Sequence, residues 1–128
     1  MRAVSLLPLA LAFCQPDETI SGHSDPTLVW QLAELNRERI DVTATLRFPE
    51  KGRVIGEGPC NAFTATQTAP YPWIEIVQLV STRRACPDLP LETAFFAALQ
   101  SATLVEASDE ILILTDEAGR ETVFRASP

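Results

Sequence analysis

The feature that most constrains this sequence is a series of short runs in which apolar and polar residues alternate. In the clearest run, every second residue from position 42 to position 48 is apolar, and the turn-forming residues 49–52 follow it. A period of two puts successive side chains on opposite faces of a strand. The run therefore predicts a strand with one buried face.

Similar short segments recur along most of the chain, separated by glycine, proline and threonine. They are predicted at residues 28–33, 53–56, 62–67, 73–77, 79–84, 104–106, 110–115 and 120–125. Residues 116–119 are predicted to join the last two as a hairpin. Such lengths and turn signals are typical of antiparallel strands that follow one another along the chain.

One segment instead has helical periodicity. Its apolar residues on one helical face are Leu91, Phe95, Ala98, Leu99 and Ala102. Asp88 at the N-cap and Pro90 in the first turn predict a helix over about residues 89–101. The expected fold class is mainly β (α+β): a small antiparallel, barrel-like curled sheet of about eight strands with one amphipathic helix.

Length and charge exclude several classes of protein. The chain of 128 residues has room for one small domain. Seventeen acidic residues outweigh ten basic ones, and a net charge of -7 is the wrong sign for a nucleic-acid-binding protein. One histidine and three cysteines do not by themselves complete a four-ligand zinc site, so no metal or other cofactor is expected.

The N-terminus has the pattern of an export signal. Met1 and Arg2 precede an uncharged stretch over residues 3–13, and the chain then turns polar. This stretch is about half of the roughly 20 residues that a membrane-spanning helix needs, and Pro8 interrupts it. Residues 1–13 are therefore predicted to be a signal peptide.

Residues 11–14 resemble a bacterial lipobox, with Leu11 and Ala12 before Cys14. The resemblance implies that Cys14 is lipidated and becomes the N-terminus, with residues 14–26 as a polar tether. The acyl chains would attach the protein to the membrane, since each buried methylene contributes about 0.8 kcal/mol. A glutamine directly after the cysteine, here Gln15, resembles the pattern of lipoproteins in the outer membrane. We therefore expect the protein at the periplasmic face of the cell envelope, as an outer-membrane lipoprotein.

The rest of the chain resembles the META domain, also called the HslJ-like domain, in its bacterial lipoprotein form. The ordered motifs are Trp30-x-Leu32, residues 53–63 with Cys60-Asn61, residues 81–87 with Ser-Thr-Arg-x-x-Cys, a helix with Glu92, and closing apolar strands. The resemblance covers residues 27–128. It implies a compact antiparallel barrel-like fold found in small envelope and heat-shock-associated proteins, and no established catalytic residues come with it.

Two cysteines remain once Cys14 is assigned to the anchor. Outside the cytoplasm disulfides persist, so a Cys60–Cys86 disulfide is the leading interpretation. The alternatives are two buried thiols that pack as small apolar groups, or a redox-active pair, which lacks the usual Cys-x-x-Cys spacing.

Arg83 and Arg84 are the only adjacent basic residues in this acidic sequence. If strand alternation holds, they point to opposite faces, so at most one packs inward. We assign the packed, structural role to Arg83, which lies within the family motif, and a contact with solvent or a partner to Arg84. Asn61 and Glu92 are the other candidate structural or contact residues.

No constellation in the sequence is typical of an enzyme. His23, Ser24 and Asp25 are consecutive and cannot converge on one reacting atom. The function expected is a non-enzymatic, lipid-anchored envelope protein that binds a partner or a small apolar ligand in envelope maintenance or stress tolerance. The alternative is a pilot-like chaperone for an outer-membrane protein, and a small hydrolase ranks below both.

Overall fold

A computed structural model describes residues 16–127, so Cys14 and the predicted signal peptide lie outside the described residues. The two helices are α1 (Ile20–His23) and α2 (Leu89–Ser101). The nine strands are β1 (Val29–Leu35), β2 (Glu38–Arg39), β3 (Thr45–Glu50), β4 (Gly52–Glu57), β5 (Ala62–Gln67), β6 (Val77–Ser81), β7 (Ala102–Ala107), β8 (Ile111–Asp116) and β9 (Glu121–Ser127).

All the strands belong to one curled antiparallel sheet. Its order is β6-β5-β4-β3-β1-β9-β8-β7, and β2 pairs with β1 alone. The mainly β fold class is therefore confirmed: residues 16–127 form nine strands, where about eight were expected, and a short additional helix.

The two terminal strands of this order have different surroundings. The outer edge of β7 is covered by the segment that follows β5. Pro72 O accepts the Val105 N–H at 2.8 Å, the Ile74 N–H donates to Thr103 O at 3.1 Å, and Trp73 forms a bridge with Leu104. No such segment pairs with β6 within residues 16–127, where β6 bonds to β5 alone.

The concave side of the sheet is filled by large side chains and closed by α2. Trp30, Phe95 and Phe124 are at most 1% exposed. The Phe95 ring centroid lies 6.0 Å from that of Phe63 and 6.2 Å from that of Phe124. The helix has the bounds that its periodicity predicted, although the Asp88 side chain makes no capping hydrogen bond.

Three of the predicted strands differ in the structure. The strand predicted at 42–48 is β3, which begins three residues later and continues through the predicted turn residues 49 and 50. Residues 74–76 form no strand, although Ile74 and Ile76 are buried, because the side-chain oxygen of Gln67 accepts the Glu75 N–H at 2.8 Å. The strand predicted at 79–84 ends at Ser81. Beyond it, Asn61 Oδ1 accepts the Arg84 N–H at 2.6 Å. A side chain that bonds to the backbone in this way offers it an alternative to the sheet ladder. The periodic pattern of the sequence reveals neither the Gln67 bond nor the Asn61 bond.

Part of the segment predicted as a polar tether, around the buried residues 19–21, is held against the folded domain, which corrects that expectation for these residues. Ile20 in α1 is 1% exposed and belongs to the core. The Tyr71 N–H donates to Glu18 O at 2.8 Å, and the rings of His23 and Tyr71 stack with centroids 3.5 Å apart. One isoleucine among polar residues is too weak a pattern to predict this packing. The packing is favourable because it removes the apolar side chain of Ile20 from water.

Candidate functional site

The four candidate contact residues meet in one depression of about 370 Å³. It lies between the end of β6, the segment 82–85 and the first half of α2. Asn61, Arg83, Arg84 and Glu92 all line it, together with apolar surface from Leu89 and Phe96. The sequence motifs named these residues, and the fold brings them together.

Glu92 lies in the first turn of α2 and is only 3% exposed. Its Oε2 accepts the backbone N–H groups of Cys60 at 2.9 Å and Asn61 at 2.6 Å. Its Oε1 accepts the side-chain amide of Asn61 at 2.8 Å. Both carboxylate oxygens are therefore occupied in holding the turn between β4 and β5 against the helix.

Gly58 allows this close approach. A Cβ atom at position 58 would lie 2.6 Å from Glu92 Oε2, a distance that real Cβ atoms essentially never show. The Gly58 N–H also donates to Asn61 O at 2.8 Å, which closes the turn. The sequence analysis did not select Gly58 as a site residue, and its position two residues before Cys60 in the family motif was the available signal.

Asn61 connects three segments of the chain and is 3% exposed. Its Oδ1 accepts the Arg84 N–H at 2.6 Å and the Thr82 hydroxyl at 2.9 Å. Its Nδ2 donates to Arg84 O at 3.1 Å as well as to Glu92. Asn61 therefore holds segment 82–85 out of the sheet. After Gly58, Thr82 is the second residue of this site that the sequence analysis did not select.

A disulfide between Cys60 and Cys86 reinforces the same junction. The two Cα atoms are 5.8 Å apart and the residues are 26 positions apart in sequence. Cys60 is buried next to Asn61, and Cys86 is half-buried before α2. The bond is the leading interpretation made from the sequence, and it is present in the structure.

The assignment of inward and outward roles to the arginine pair is wrong. Both Arg83 and Arg84 are exposed, because β6 ends at Ser81 and strand alternation does not reach them. The backbone of Arg84, not the side chain of Arg83, has the structural role through Asn61. The Arg84 guanidinium lies 3.5 Å from Cys60 O, a marginal hydrogen bond.

Neither arginine forms an ion pair within the described part of the chain. The pairs there are Glu50 with Arg53 at 3.8 Å and Asp116 with Arg120 at 2.8 Å. The buried carboxylate of Glu92 is held by amides instead. Two cationic groups are thus presented to solvent at the rim of the depression.

The carboxyls with shifted pKa values lie away from this depression. Burial raises the pKa of Asp17, but hydrogen bonds from Ser21 and Thr19 together lower it below its usual value of 3.8. The pKa of Asp116 is lowered foremost by the backbone N–H of Arg120.

Asp116 and Arg120 also border another depression of about 330 Å³, beside the small residues of α2. It contains none of the four candidate residues. Among residues 16–127, no group of three metal-ligating side chains comes together. Neither helix there has the length and apolar character needed to cross a membrane.

Fold and site together define a small, disulfide-closed antiparallel β domain with one helix packed across the sheet. The family model of the META domain matches residues 26–128. The chain therefore belongs to the META domain family, as the ordered motifs predicted.

Solved structures share this fold at low sequence identity. A protein from Burkholderia xenovorans, solved by NMR, is 18% identical with a TM-score of 0.65, and the match covers 98% of this chain and 95% of that one. A second NMR structure has a TM-score of 0.64 at 18% identity, over 78% of this chain and 89% of its own.

A DUF4847 family protein from Bacteroides vulgatus has a TM-score of 0.55 at 18% identity, over 65% of this chain and 57% of its own. At these identities the likeness establishes the fold alone. No curated protein matches the sequence significantly.

Proposed function

We propose that this META domain protein is a lipid-anchored envelope protein that binds a protein partner at the depression around Arg83 and Arg84. One observation carries the proposal. Both carboxylate oxygens of Glu92 and the side chain of Asn61 are engaged in holding the turn, whereas the two guanidinium groups, which form no ion pair within residues 16–127, lie at the exposed rim. Groups presented in this way suit contact with an acidic partner.

The occupied carboxylate also favours binding over catalysis. A general base needs an oxygen within reach of substrate, and both oxygens of Glu92 already accept hydrogen bonds from Cys60 and Asn61. The hydrolase reading therefore gains no support from this site.

A small apolar ligand is a weaker alternative than a protein partner. The concave side of the sheet is filled by side chains such as Trp30, Phe95 and Phe124, each at most 1% exposed. The depression at the arginine pair is open and bordered by charge. A surface of this kind suits a macromolecular contact better than an enclosed ligand.

The proposed anchor at Cys14 would hold the domain close to the membrane. Asp17 already bonds to Thr19 and Ser21 on the folded body, so Gln15 and Pro16 alone separate it from Cys14. The three Cα–Cα steps from Cys14 to Asp17 span at most about 11 Å. We therefore propose that the partner is an envelope protein at the same membrane surface, and the pilot-like role is one form of this function.

A photo-crosslinking amino acid at position 83, in intact cells, tests the proposal. We expect one crosslinked envelope protein at that position and none with the same probe at position 125, an exposed site on β9. The Arg84→Gln variant should weaken the crosslink from position 83. Equal crosslinking at both positions, or none at either, would count against the proposed contact site.

A further inference from the structure

We infer that the uncovered edge of β6 accepts an extended, acidic segment of the partner as an added strand, with its carboxylates against Arg83 and Arg84. The inference deepens the proposed function and rests on it. It names both the backbone surface and the chemistry of the segment that binds there.

The first observation is the difference between the two ends of the sheet. The edge of β7 is covered by Pro72 and Ile74, whereas within the described residues β6 pairs with β5 alone. Its sequence, Val-Gln-Leu-Val-Ser, contains no charge and no proline. Charged residues, proline, a bulge or a covering segment are the usual protection of an edge strand. Of these, β6 has only a bulge, at Gln78, so residues 79–81 on its arginine side remain able to pair.

A bulge in β6 turns two apolar side chains outward. Thr64 and Thr66 are two positions apart on β5, but their partners Val80 and Val77 are three positions apart on β6. The additional residue is at Gln78, where φ is 56°. Without the bulge, residues three apart would face opposite sides of the sheet.

As a result, both valines lie on the solvent side. Val77 is 41% exposed and Val80 is 66% exposed. They provide an apolar surface beside the uncovered edge, on which alternate side chains of an added strand can pack.

Charge selects the kind of segment. Arg83 and Arg84 lie two and three positions after the end of β6, have no ion pair in the described residues and belong to a chain of net charge -7. At the other end of the strand, Glu75 is exposed. Acidic residues in an added strand should therefore strengthen its binding at the arginine end and weaken its binding at the Glu75 end.

The direction of the added strand follows from the sheet. Every pairing in it is antiparallel, including β5 with β6. An antiparallel segment runs from the arginine end toward Val77, so its acidic residues come first. The surface therefore predicts a bound segment whose N-terminal end is acidic and whose following residues are apolar at every second position.

Synthetic peptides test this inference on the full mature chain, purified in mild detergent. The probe is a labelled, end-blocked peptide of two aspartates followed by alternating threonine and valine. Fluorescence anisotropy should give a Kd about tenfold lower than for the same peptide with lysines in place of the aspartates. Moving the aspartates to the C-terminal end should also weaken binding.

Two N-methylated versions of the probe test for pairing without altering the protein. Each lacks the N–H donors along one of its two edges. Strand addition predicts that one version loses binding by more than about tenfold while the other retains it. Equal binding of both versions and the parent peptide would overturn the inference.

Protein variants test the charge. Arg83→Gln with Arg84→Gln should raise the Kd of the aspartate probe about tenfold. The matched control is Arg39→Gln with Arg125→Gln, a pair of exposed arginines on β2 and β9, which should leave it unchanged. An unchanged Kd in the Arg83 and Arg84 variant, with its circular dichroism spectrum intact, would contradict the inference.

Three further outcomes separate the hypotheses. A dimer of the chain that disappears in a Val80→Lys variant would mean that a second copy occupies the edge, and it would overturn the inference. If crosslinks from position 83 identify a partner while no peptide binds, strand addition fails and the proposed function stands. If peptides bind but no crosslink forms in cells, the proposed function fails instead.

Discussion

Glu92 and Asn61 are joined by two hydrogen bonds, one from the backbone N–H of Asn61 at 2.6 Å and one from its side-chain amide at 2.8 Å. The two residues are 31 positions apart in sequence. Their contact fixes the first turn of α2 to the turn that precedes β5. The depression next to them therefore has a rigid wall, and its exposed arginines project from a fixed support.

Replacing the acceptor tests this arrangement. Glu92→Gln keeps the side-chain shape but introduces an NH₂ group opposite N–H donors. We expect the free energy of unfolding to fall by about 2–3 kcal/mol, since buried donors lose their acceptor. Urea unfolding measures it, with Glu106→Gln on the exposed side of β7 as the control. A loss below about 0.5 kcal/mol would contradict the structural role of Glu92.

Gly58→Ala tests the close approach to the same carboxylate. The new Cβ would meet Glu92 Oε2 at 2.6 Å, so the side chain or the turn must shift. A loss of about 1–3 kcal/mol is expected. In a Glu92→Ala background the same substitution should cost much less, because the contacted atom is gone. Equal costs in both backgrounds would show that the contact is not the cause.

Reduction of the disulfide should lower stability without removing the fold. The closed loop spans 26 positions, for which the chain-entropy model gives about 3.5 kcal/mol. Asn61 joins the same two segments through Thr82 and Arg84, so the junction is retained. Urea unfolding with and without reductant measures the difference. In a non-reducing digest, the peptides of Cys60 and Cys86 should remain joined; full alkylation of both thiols would contradict it.

Stability at low pH should report on Asp17. Its pKa is lower in the folded state, because hydrogen bonds from Ser21 and Thr19 outweigh the effect of burial. Such a carboxylate contributes stability above its unfolded pKa, and the contribution is lost as the pH falls through the folded pKa.

The Asp17→Asn variant should therefore be less stable than the parent at pH 7. The difference should shrink as the pH falls below about 4. Thermal unfolding across this range measures it, with the exposed Asp109→Asn as the control. A pH-independent difference would point to altered packing of α1 instead.

The anchor is tested by Cys14→Ala. If Cys14 is lipidated, the variant should leave the membrane fraction for the soluble periplasm or accumulate as an uncut precursor. Mass spectrometry of the parent's N-terminal peptide should detect the acyl chains. Unchanged membrane fractionation together with an unmodified N-terminal peptide would remove the lipoprotein proposal.

Local patterns predicted the regular elements well and the irregular ones poorly. The bounds of α2 and β5 agree with the prediction, since their burial follows helical and alternating periods. Residues 73–77 and 82–84 also carry strand-like composition. Side-chain bonds from Gln67, eight positions from Glu75, and from Asn61, 23 positions from Arg84, set their conformation, and periodicity does not register bonds of this kind.

The site was predictable as a set of residues but not as an arrangement. Motif order identified Asn61, Glu92 and the two cysteines. It gave no indication that the acid accepts bonds from the turn or that both arginines are exposed. The first depends on contacts between residues about 30 positions apart, and the second on β6 ending at Ser81, beyond which the Arg84 N–H donates to Asn61.

The position of β9 has a consequence for how the molecule forms. This last strand lies between β8 and β1, and its register with β1 runs from Val29 opposite Ser127 to Leu35 opposite Thr122. The two halves of the sheet are joined through pairs that are far apart in sequence, up to 98 positions (127 − 29) for Val29 and Ser127. Such contacts are slow to form. Because β9 joins β8 to β1, the sheet can be completed only after β9 has been synthesised, so we expect the pairing of β1 with β9 to be a late step of folding.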